Sequence, residues 1–189
     1  MLSFKKFVSV VAPAVACAVP QAASARDFEG EYLGVLGGAA ILKTTGSNLV
    51  GPVDEKSTDP MVIALAGYRA SIGRNSPLMI GVEGDIGFTV NHFDSRFSAS
   101  AIAGYRIDDK ALVFGRVGYA SLSGIQTGGN SDNVDGLVLG GGAEIAMLDW
   151  LNLRVEYRNI DYGKTPPGIL DNNLHFRGHE INGGVVFNF

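Results

Sequence analysis

Glu83 and Asp85 are a pair of carboxylates whose spacing could support chemistry. Residues two apart on a β-strand point to the same face, so the pair could act as a general acid and a general base. A second constellation, Arg154-x-Glu156-x-Arg158, places two guanidinium groups around one carboxylate at the same spacing. Three interpretations follow: a catalytic pair, the polar lining of a pore, or an internal network of ion pairs.

Other charged residues continue this pattern on the predicted strands. The set that we place on one common face consists of Arg69, Glu83, Asp85, Arg106, Arg116, Glu144, Arg154, Glu156 and Arg158, with Glu180 as a further candidate. Unpaired charges in a dry interior are costly. If the strands close into a barrel of about eight strands, as the alternation described below predicts, its interior is just wide enough for side chains to fill. The sequence therefore favours an internal salt-bridge network over a conducting lining, and a conducting lining over catalysis.

The sequence has three histidines, His92, His175 and His179. His175 and His179 share one face of a strand, so a metal-binding or catalytic role can be considered. Neither falls among the inward carboxylates in the predicted register. No outward Ser-x-His pair or Asp/His cluster at a strand end is recognisable. We therefore predict surface or rim histidines, no catalytic, metal or cofactor site, and no enzymatic activity.

The N-terminus has the pattern of a secretory signal peptide. A basic pair at 5–6 precedes a mostly apolar run at 7–19, and small residues at 23–25 form a cleavage site. The apolar run is too short to cross a bilayer as a helix. We predict that residues 1–25 are removed and that residues 26–189 form one domain.

Removal of the signal changes the charge and the cysteine content. Without Lys5 and Lys6 the formal net charge goes from −4 to 13 − 19 = −6, which argues against a nucleic-acid partner. Cys17 lies inside the signal, so no disulfide is expected. A lipoprotein signal ending at Cys17 is disfavoured, because Ala14 stands where leucine is usual. After residue 25 no apolar run approaches the ~18 residues of a membrane helix, so only a barrel could cross a membrane.

The mature chain contains eight stretches in which apolar and polar residues alternate. They are predicted at 31–42, 61–71, 78–90, 97–107, 111–122, 134–147, 151–158 and 176–189. Long or irregular connections alternate with short ones: loops at 43–60, 91–96, 123–133 and 162–174, and tight turns at 74–77, 108–110 and 148–150. These features predict an all-β fold, an eight-stranded antiparallel up-and-down transmembrane β-barrel with both termini in the periplasm.

The last strand ends on an aromatic ring. Ile181, Val185, Phe187 and Phe189 fall on one face, which in a membrane barrel contacts lipid. The aromatic residues predicted to anchor the barrel at the membrane interfaces are Tyr68, Tyr105, Tyr119, Trp150 and Tyr157. A soluble β-sandwich would not need aromatic residues at strand ends on its apolar face, so the membrane interpretation is favoured.

Short motifs carry a resemblance to a known family. They are Gly-Val-Glu-Gly-Asp-Ile at 81–86, Gly-Tyr-Arg at 104–106, Glu-Tyr-Arg at 156–158 and the terminal Phe189. Over the mature chain the sequence resembles the small eight-stranded outer-membrane barrels of Gram-negative bacteria, the porin-family or opacity-like proteins close to the transmembrane domain of OmpA. The resemblance implies an outer-membrane location, contact with outer-membrane lipid, and assembly by periplasmic chaperones and the barrel-insertion machinery. It also implies that Phe187 and Phe189 act as the assembly signal.

The expected function is physical rather than catalytic. We expect structural support of the envelope, with slow, non-specific passage of small solutes as a porin-like property. The alternative is a surface adhesin or interaction protein that acts through its extracellular loops. Those loops are polar and carry no aromatic-rich patch, so their composition does not specify a partner.

Overall fold

The computed structural model describes residues 28–48, 51–74, 76–90, 95–127, 130–164 and 175–189. Their strands, in chain order, are β1 (Gly30–Asn48), β2 (Gly51–Ser71), β3 (Leu78–Thr89), β4 (Ser95–Asp108), β5 (Ala111–Thr127), β6 (Asn130–Leu148), β7 (Leu151–Lys164) and β8 (His175–Asn188). The predicted signal peptide at 1–25 lies outside the described residues. Among the described residues, no helix is long and apolar enough to cross a membrane.

The strands close into one barrel, which confirms the predicted fold class. Each strand pairs antiparallel with the next, and β1 also pairs with β8, from Tyr32 against Asn188 to Thr45 against His175. Closure gives every strand a partner on both sides. Backbone groups inside a bilayer must be satisfied in this way, because no water is available there.

Side chains alternate between a polar interior and an apolar exterior. On β4, Arg96, Ser98 and Ser100 are buried, whereas Phe97 and Tyr105 are about half exposed. Large hydrophobic side chains are exposed on all eight strands. This arrangement is the reverse of a soluble domain and matches a surface that contacts lipid.

All four predicted loops are partly strand in the structure, and at 91–96 it is Ser95 and Arg96 that belong to a strand, β4. Residues 43–60 were expected to form a loop, but β1 and β2 stay paired up to Asn48 and Gly51. In the same way, β5 and β6 remain paired as far as Thr127 and Asn130. At 162–174 only the first three residues are described, and they belong to β7. The prediction was wrong because it relied on apolar alternation, which disappears where a strand pair extends beyond the lipid into water.

Two of the predicted turns are confirmed. The turn at 108–110 is closed by a hydrogen bond from the Lys110 N–H to Asp108 Oδ1, 2.8 Å long. Asp149 and Trp150 form the turn between β6 and β7. The turn at 74–77 includes residue 75, which lies outside the described residues.

Apolar side chains occupy the interior on either side of its polar middle. One cluster consists of Ala120, Val138, Ile160 and Tyr162, towards the end of the barrel opposite the termini, which is the predicted extracellular end. Another, made by Phe28, Met79 and Leu112, lies at the end with the termini, which is the predicted periplasmic end. Phe28 has a positive φ of 53° and a ring that is 1% exposed, so the chain turns inward just before β1 begins.

Candidate functional site: the charged interior

Five arginines and five carboxylates lie in the barrel interior. They come from every strand from β2 to β8, and their formal charges cancel. The set, here called the lumen network, consists of Arg69, Arg96, Arg116, Arg154 and Arg158 with Glu83, Asp85, Glu144, Glu156 and Glu180, each at most 4% exposed. Because buried charges are tolerated only when they are paired, the geometry of these pairs decides what the interior can do.

Glu83 is at the centre of the lumen network. Its Oε2 lies 2.6 Å from Arg154 Nη1, and its Oε1 lies 2.8 Å from Arg116 Nη2. The hydroxyl of Tyr32 donates a third hydrogen bond, 2.9 Å long, so β1 also contributes to the interior. The carboxylate therefore has donors from three strands and is held without contact with solvent.

Glu156 is a second carboxylate shared by several arginines. Its Oε2 lies 2.8 Å from Arg154 Nη2 and 3.3 Å from Arg116 Nη1. Arg158, two residues further along β7, pairs with its other oxygen. The Arg154-x-Glu156-x-Arg158 motif thus pairs within one strand face and also across the barrel.

Towards the extracellular end the network continues through Asp85. Arg158 Nη1 lies 3.0 Å from Asp85 Oδ2, and Ser98 donates a hydrogen bond of 2.5 Å to the same oxygen. Arg96 lies between Asp85 and Glu180, at 3.0 Å from each. The predicted candidate Glu180 is therefore a member of the network.

Towards the periplasmic end the network passes to Glu144. Arg69 Nη1 lies 2.7 Å from Glu144 Oε1, and Asn152 donates to the other oxygen at 3.1 Å. Arg69 also donates to the side-chain oxygen of Asn188 at 3.0 Å, and its guanidinium lies 4.2 Å from the centre of the Tyr32 ring. One continuous set of contacts therefore runs between the two ends of the lumen.

This arrangement is suited to filling the interior and not to acid–base chemistry. Glu83 and Asp85 are 2% and 3% exposed, and each pairs with at least two guanidinium groups. A general acid or base must reach a substrate and exchange its proton. Both carboxylates are enclosed by cations instead, which leaves the catalytic interpretation without support from their geometry.

The structure buries eight of the nine interior charges named from the sequence. The exception is Arg106, which occupies the last inward position of β4 beside the periplasmic turn and is only half-buried. Arg96 was not predicted, because the strand was taken to begin at Phe97. Counting back by two from Ser100 and Ser98 would have placed Arg96 inward, so the signal was present in the sequence.

The described histidines lie on the outer surface. His179 Nδ1 is 2.7 Å from the Tyr157 hydroxyl, and His175 Nε2 is 2.8 Å from Asp161 Oδ1 at the extracellular end of β7. The sequence did not reveal this Asp/His pair, because its members are 14 residues apart in the chain and meet only through the pairing of β7 with β8. In the described part of the chain, no group of three or more possible ligands is arranged to hold a metal ion. His92 lies outside the described residues.

The aromatic residues named as anchors are all about half exposed on the outer face. They are Tyr68, Tyr105, Tyr119, Trp150 and Tyr157. Trp150 stacks on Phe187 with 5.9 Å between ring centres, beside the periplasmic turn. Phe189 donates its backbone N–H to the Glu31 carbonyl at 3.0 Å. Phe187 and Phe189 are therefore held at the β8–β1 seam, and their role in assembly stays a prediction.

Comparison with known proteins agrees with this architecture. Residues 9–189 match the family model described as the outer membrane protein beta-barrel domain. Curated protein sequences contain no match. The crystal structure of Neisserial surface protein A is 21% identical, with 85% of this chain and 100% of that chain covered and a TM-score of 0.50.

Two further solved structures match over a similar share of this chain. Ail, the attachment invasion locus protein of Yersinia pestis, is 17% identical over 84% of this chain and 99% of that chain, with a TM-score of 0.45. OprG from Pseudomonas aeruginosa is 12% identical over 85% of this chain and 96% of that chain, with a TM-score of 0.44.

Proposed function

Because the chain belongs to the outer membrane protein beta-barrel family, we propose that its role in the outer membrane is structural, with a filled lumen in place of an open channel. The observation that carries this proposal is the lumen network of five arginines and five carboxylates. It lies between apolar clusters such as the one formed by Phe28, Met79 and Leu112.

The strength of the central contacts explains why solute passage would be slow. A solute that crosses the lumen has to separate pairs such as Arg154 and Glu83, at 2.6 Å, or Arg69 and Glu144, at 2.7 Å. Separating a buried pair leaves uncompensated charges in a medium of low dielectric constant. Passive passage of small solutes is therefore a minor property of this barrel under the proposal.

Conductance in planar bilayers tests the proposal. The wild-type barrel should give no steady current, whereas the double variant Glu83→Ala/Arg154→Ala should conduct, because it removes both sides of the central pair. Arg74→Gln is the matched control, since Arg74 is an exposed cation in the turn after β2. A steady current through the wild-type barrel would overturn the filled-lumen proposal. A double variant that is folded and carries no current would overturn it as well.

We also infer that the protein is not an enzyme. Among the described residues, His175 and His179 hydrogen-bond with Asp161, Tyr157 and Asn159, and none of these bonds involves a serine. The paired state of Glu83 and Asp85 supports the same inference. Release of fatty acid from outer-membrane lipid, or cleavage of a peptide library, by the purified barrel would contradict it.

A second candidate function, a surface adhesin, is favoured by the length of one hairpin. β1 and β2 contain 19 and 21 residues, compared with 12 in β3. A tilted strand needs only ~9–11 residues to cross the membrane, so this hairpin extends well outside it. Shortening the hairpin by deleting residues 46–53 should abolish attachment to cells or matrix if the protein is an adhesin, while the barrel stays folded.

A further inference from the structure

Three basic side chains form a row on the outer surface of the barrel. The register pairs Lys56 of β2 with Lys43 of β1, and Lys43 with Arg177 of β8. Residues paired directly across strands point to the same face, at a Cα spacing of about 5 Å. All three side chains are exposed, with Lys43 at 49% and Arg177 at 57%. This set, Lys56, Lys43 and Arg177, is here called the basic row.

The stability of the β-sheet does not account for three basic side chains side by side. Like charges directly opposite each other destabilise a strand pair, and the basic row contains two such pairs in succession. The neighbouring anions compensate only partly. Asp54 lies 3.8 Å from Lys43 Nζ, and Asp161 lies 3.6 Å from Arg177 Nε. Lys56 has no ion-pair partner among the described residues.

The row lies just above the apolar band of the barrel. Ile41 of β1 and His179 of β8 lie two positions nearer the membrane than Lys43 and Arg177. Ile181 lies two positions further along β8, below His179. Two residues along a tilted strand correspond to about 5 Å along the barrel axis. In an outer-membrane barrel this height, immediately outside the hydrocarbon, is where the headgroups of the outer leaflet lie.

Among the described side chains, positive charge at this level is confined to one side of the barrel. The other exposed lysine and arginine side chains that the structure describes, Arg74 and Lys110, belong to periplasmic turns. Across the barrel, on β6, the outward residue above Leu137 is Asp135, which is acidic. The basic row is therefore a localised patch among the described side chains and not a general ring of charge.

A hydrogen-bonding group continues the patch towards the membrane. His179 Nδ1 lies 2.7 Å from the Tyr157 hydroxyl and 3.1 Å from the amide nitrogen of Asn159, which can only donate. With Nδ1 acting as acceptor, the ring N–H is on Nε2, which is then free to donate to another molecule. An anion on the basic row would thus have His179 and Ile41 directly below it, followed by Ile181.

We propose that the basic row is a binding site for the phosphate groups of a phosphorylated lipid in the outer leaflet. Lys and Arg are the side chains that bind phosphate most strongly, and basic clusters at a membrane surface attract anionic lipids. A molecule that contacts the basic row and the apolar wall below it has to be amphiphilic. This position on the lipid-facing wall, outside the lumen, favours a lipid over a soluble polyanion.

Titration of lipid A, a phosphorylated glycolipid, into the folded barrel in neutral detergent tests the proposal, with native mass spectrometry as the readout. The variant Lys43→Gln/Lys56→Gln should bind about 30-fold more weakly, which corresponds to ~2 kcal/mol for two cations. The control Arg74→Gln/Lys110→Gln removes the same charge from the periplasmic turns and should bind like wild type. The conservative variant Lys43→Arg/Lys56→Arg should also retain binding, and a heat-dependent shift in SDS gels verifies that each variant is folded.

Three results would overturn the site. Equal affinity of the row variant and the turn control for lipid A would show that the three cations do not act as a unit. Equal binding of dephosphorylated lipid A and lipid A would show that only the apolar wall is recognised. Heparin binding that depends on the basic row, together with lipid A binding that does not, would assign the row to a soluble polyanion instead.

Discussion

Glu83 of β3 and Arg154 of β7 are 71 residues apart in the sequence and meet in the barrel lumen with 2.6 Å between Oε2 and Nη1. Their contact joins opposite walls of the barrel. It also connects the pairs on the extracellular side, which include Asp85, to those on the periplasmic side, which include Glu144. Removal of either partner therefore affects both halves of the lumen network.

Arg154→Met should destabilise the barrel by about 3–5 kcal/mol, because it leaves Glu83 and Glu156 without a guanidinium that both use. Urea unfolding of the protein in phospholipid vesicles measures the change. Adding Glu83→Gln to Arg154→Met should recover part of the loss, since the stranded charge is then neutral. Arg74→Met, in an exposed turn, should change the free energy of unfolding by less than about 0.5 kcal/mol. Equal effects of Arg154→Met and Arg74→Met would show that the pair carries no stability.

Gly184→Ala should weaken the seam between β8 and β1. A Cβ atom there would meet the Val35 carbonyl oxygen and would lie 2.7 Å from Leu36 Cα, so the two strands would have to move apart. Overpacking of this kind costs about 1–3 kcal/mol. Gly37→Ala, on the same seam, is the matched control, because nothing lies within 4 Å of the added atom. The midpoint of heat-induced unfolding in SDS gels compares them, and a lower midpoint for Gly37→Ala than for Gly184→Ala would contradict the packing argument.

Phe187→Ala should remove the stacked contact with Trp150 and lower stability by about 0.5–1.5 kcal/mol more than Phe88→Ala does. Phe88 is the control because it is an outward-facing phenylalanine at the other end of the wall, about half exposed, whereas Phe187 is partly buried. The fluorescence of Trp150, the single tryptophan, should change in Phe187→Ala and stay constant in Phe88→Ala. Identical spectra for both variants would show that the stack is absent in the membrane.

Phe189→Ala should reduce the amount of protein assembled in the outer membrane severalfold while leaving the refolded barrel as stable as wild type. The reason is that Phe189 joins the sheet through its backbone N–H, which donates to Glu31, and this bond does not need the ring. Immunoblots of unboiled outer-membrane fractions measure assembly, and Phe189→Tyr should restore it. An unchanged outer-membrane yield for Phe189→Ala would count against the terminal aromatic signal.

Much of the lumen network could be predicted, because inward positions repeat every second residue. Arg154, Glu156 and Arg158 were recognised as one face in this way. Arg96 was missed only because its strand begins two residues earlier than the apolar pattern does. The basic row could not be found at all from the pattern, since Lys43 and Lys56 lie where apolar alternation has ended.

The sequence by itself determined the class of structure: eight alternating stretches, a polar face and an apolar face, and an aromatic end. It did so because successive side chains of a strand point alternately to the lipid and to the interior. The two environments require apolar and polar side chains, so the alternation is visible in consecutive residues. The tertiary structure decided which residues meet. The register between neighbouring strands places Lys43 between Lys56 and Arg177. Together with barrel closure, it also brings the side chains of Glu83 and Arg154, and those of Asp161 and His175, into contact. Register depends on pairing between distant segments, and a shift of two residues would preserve every face while changing every partner.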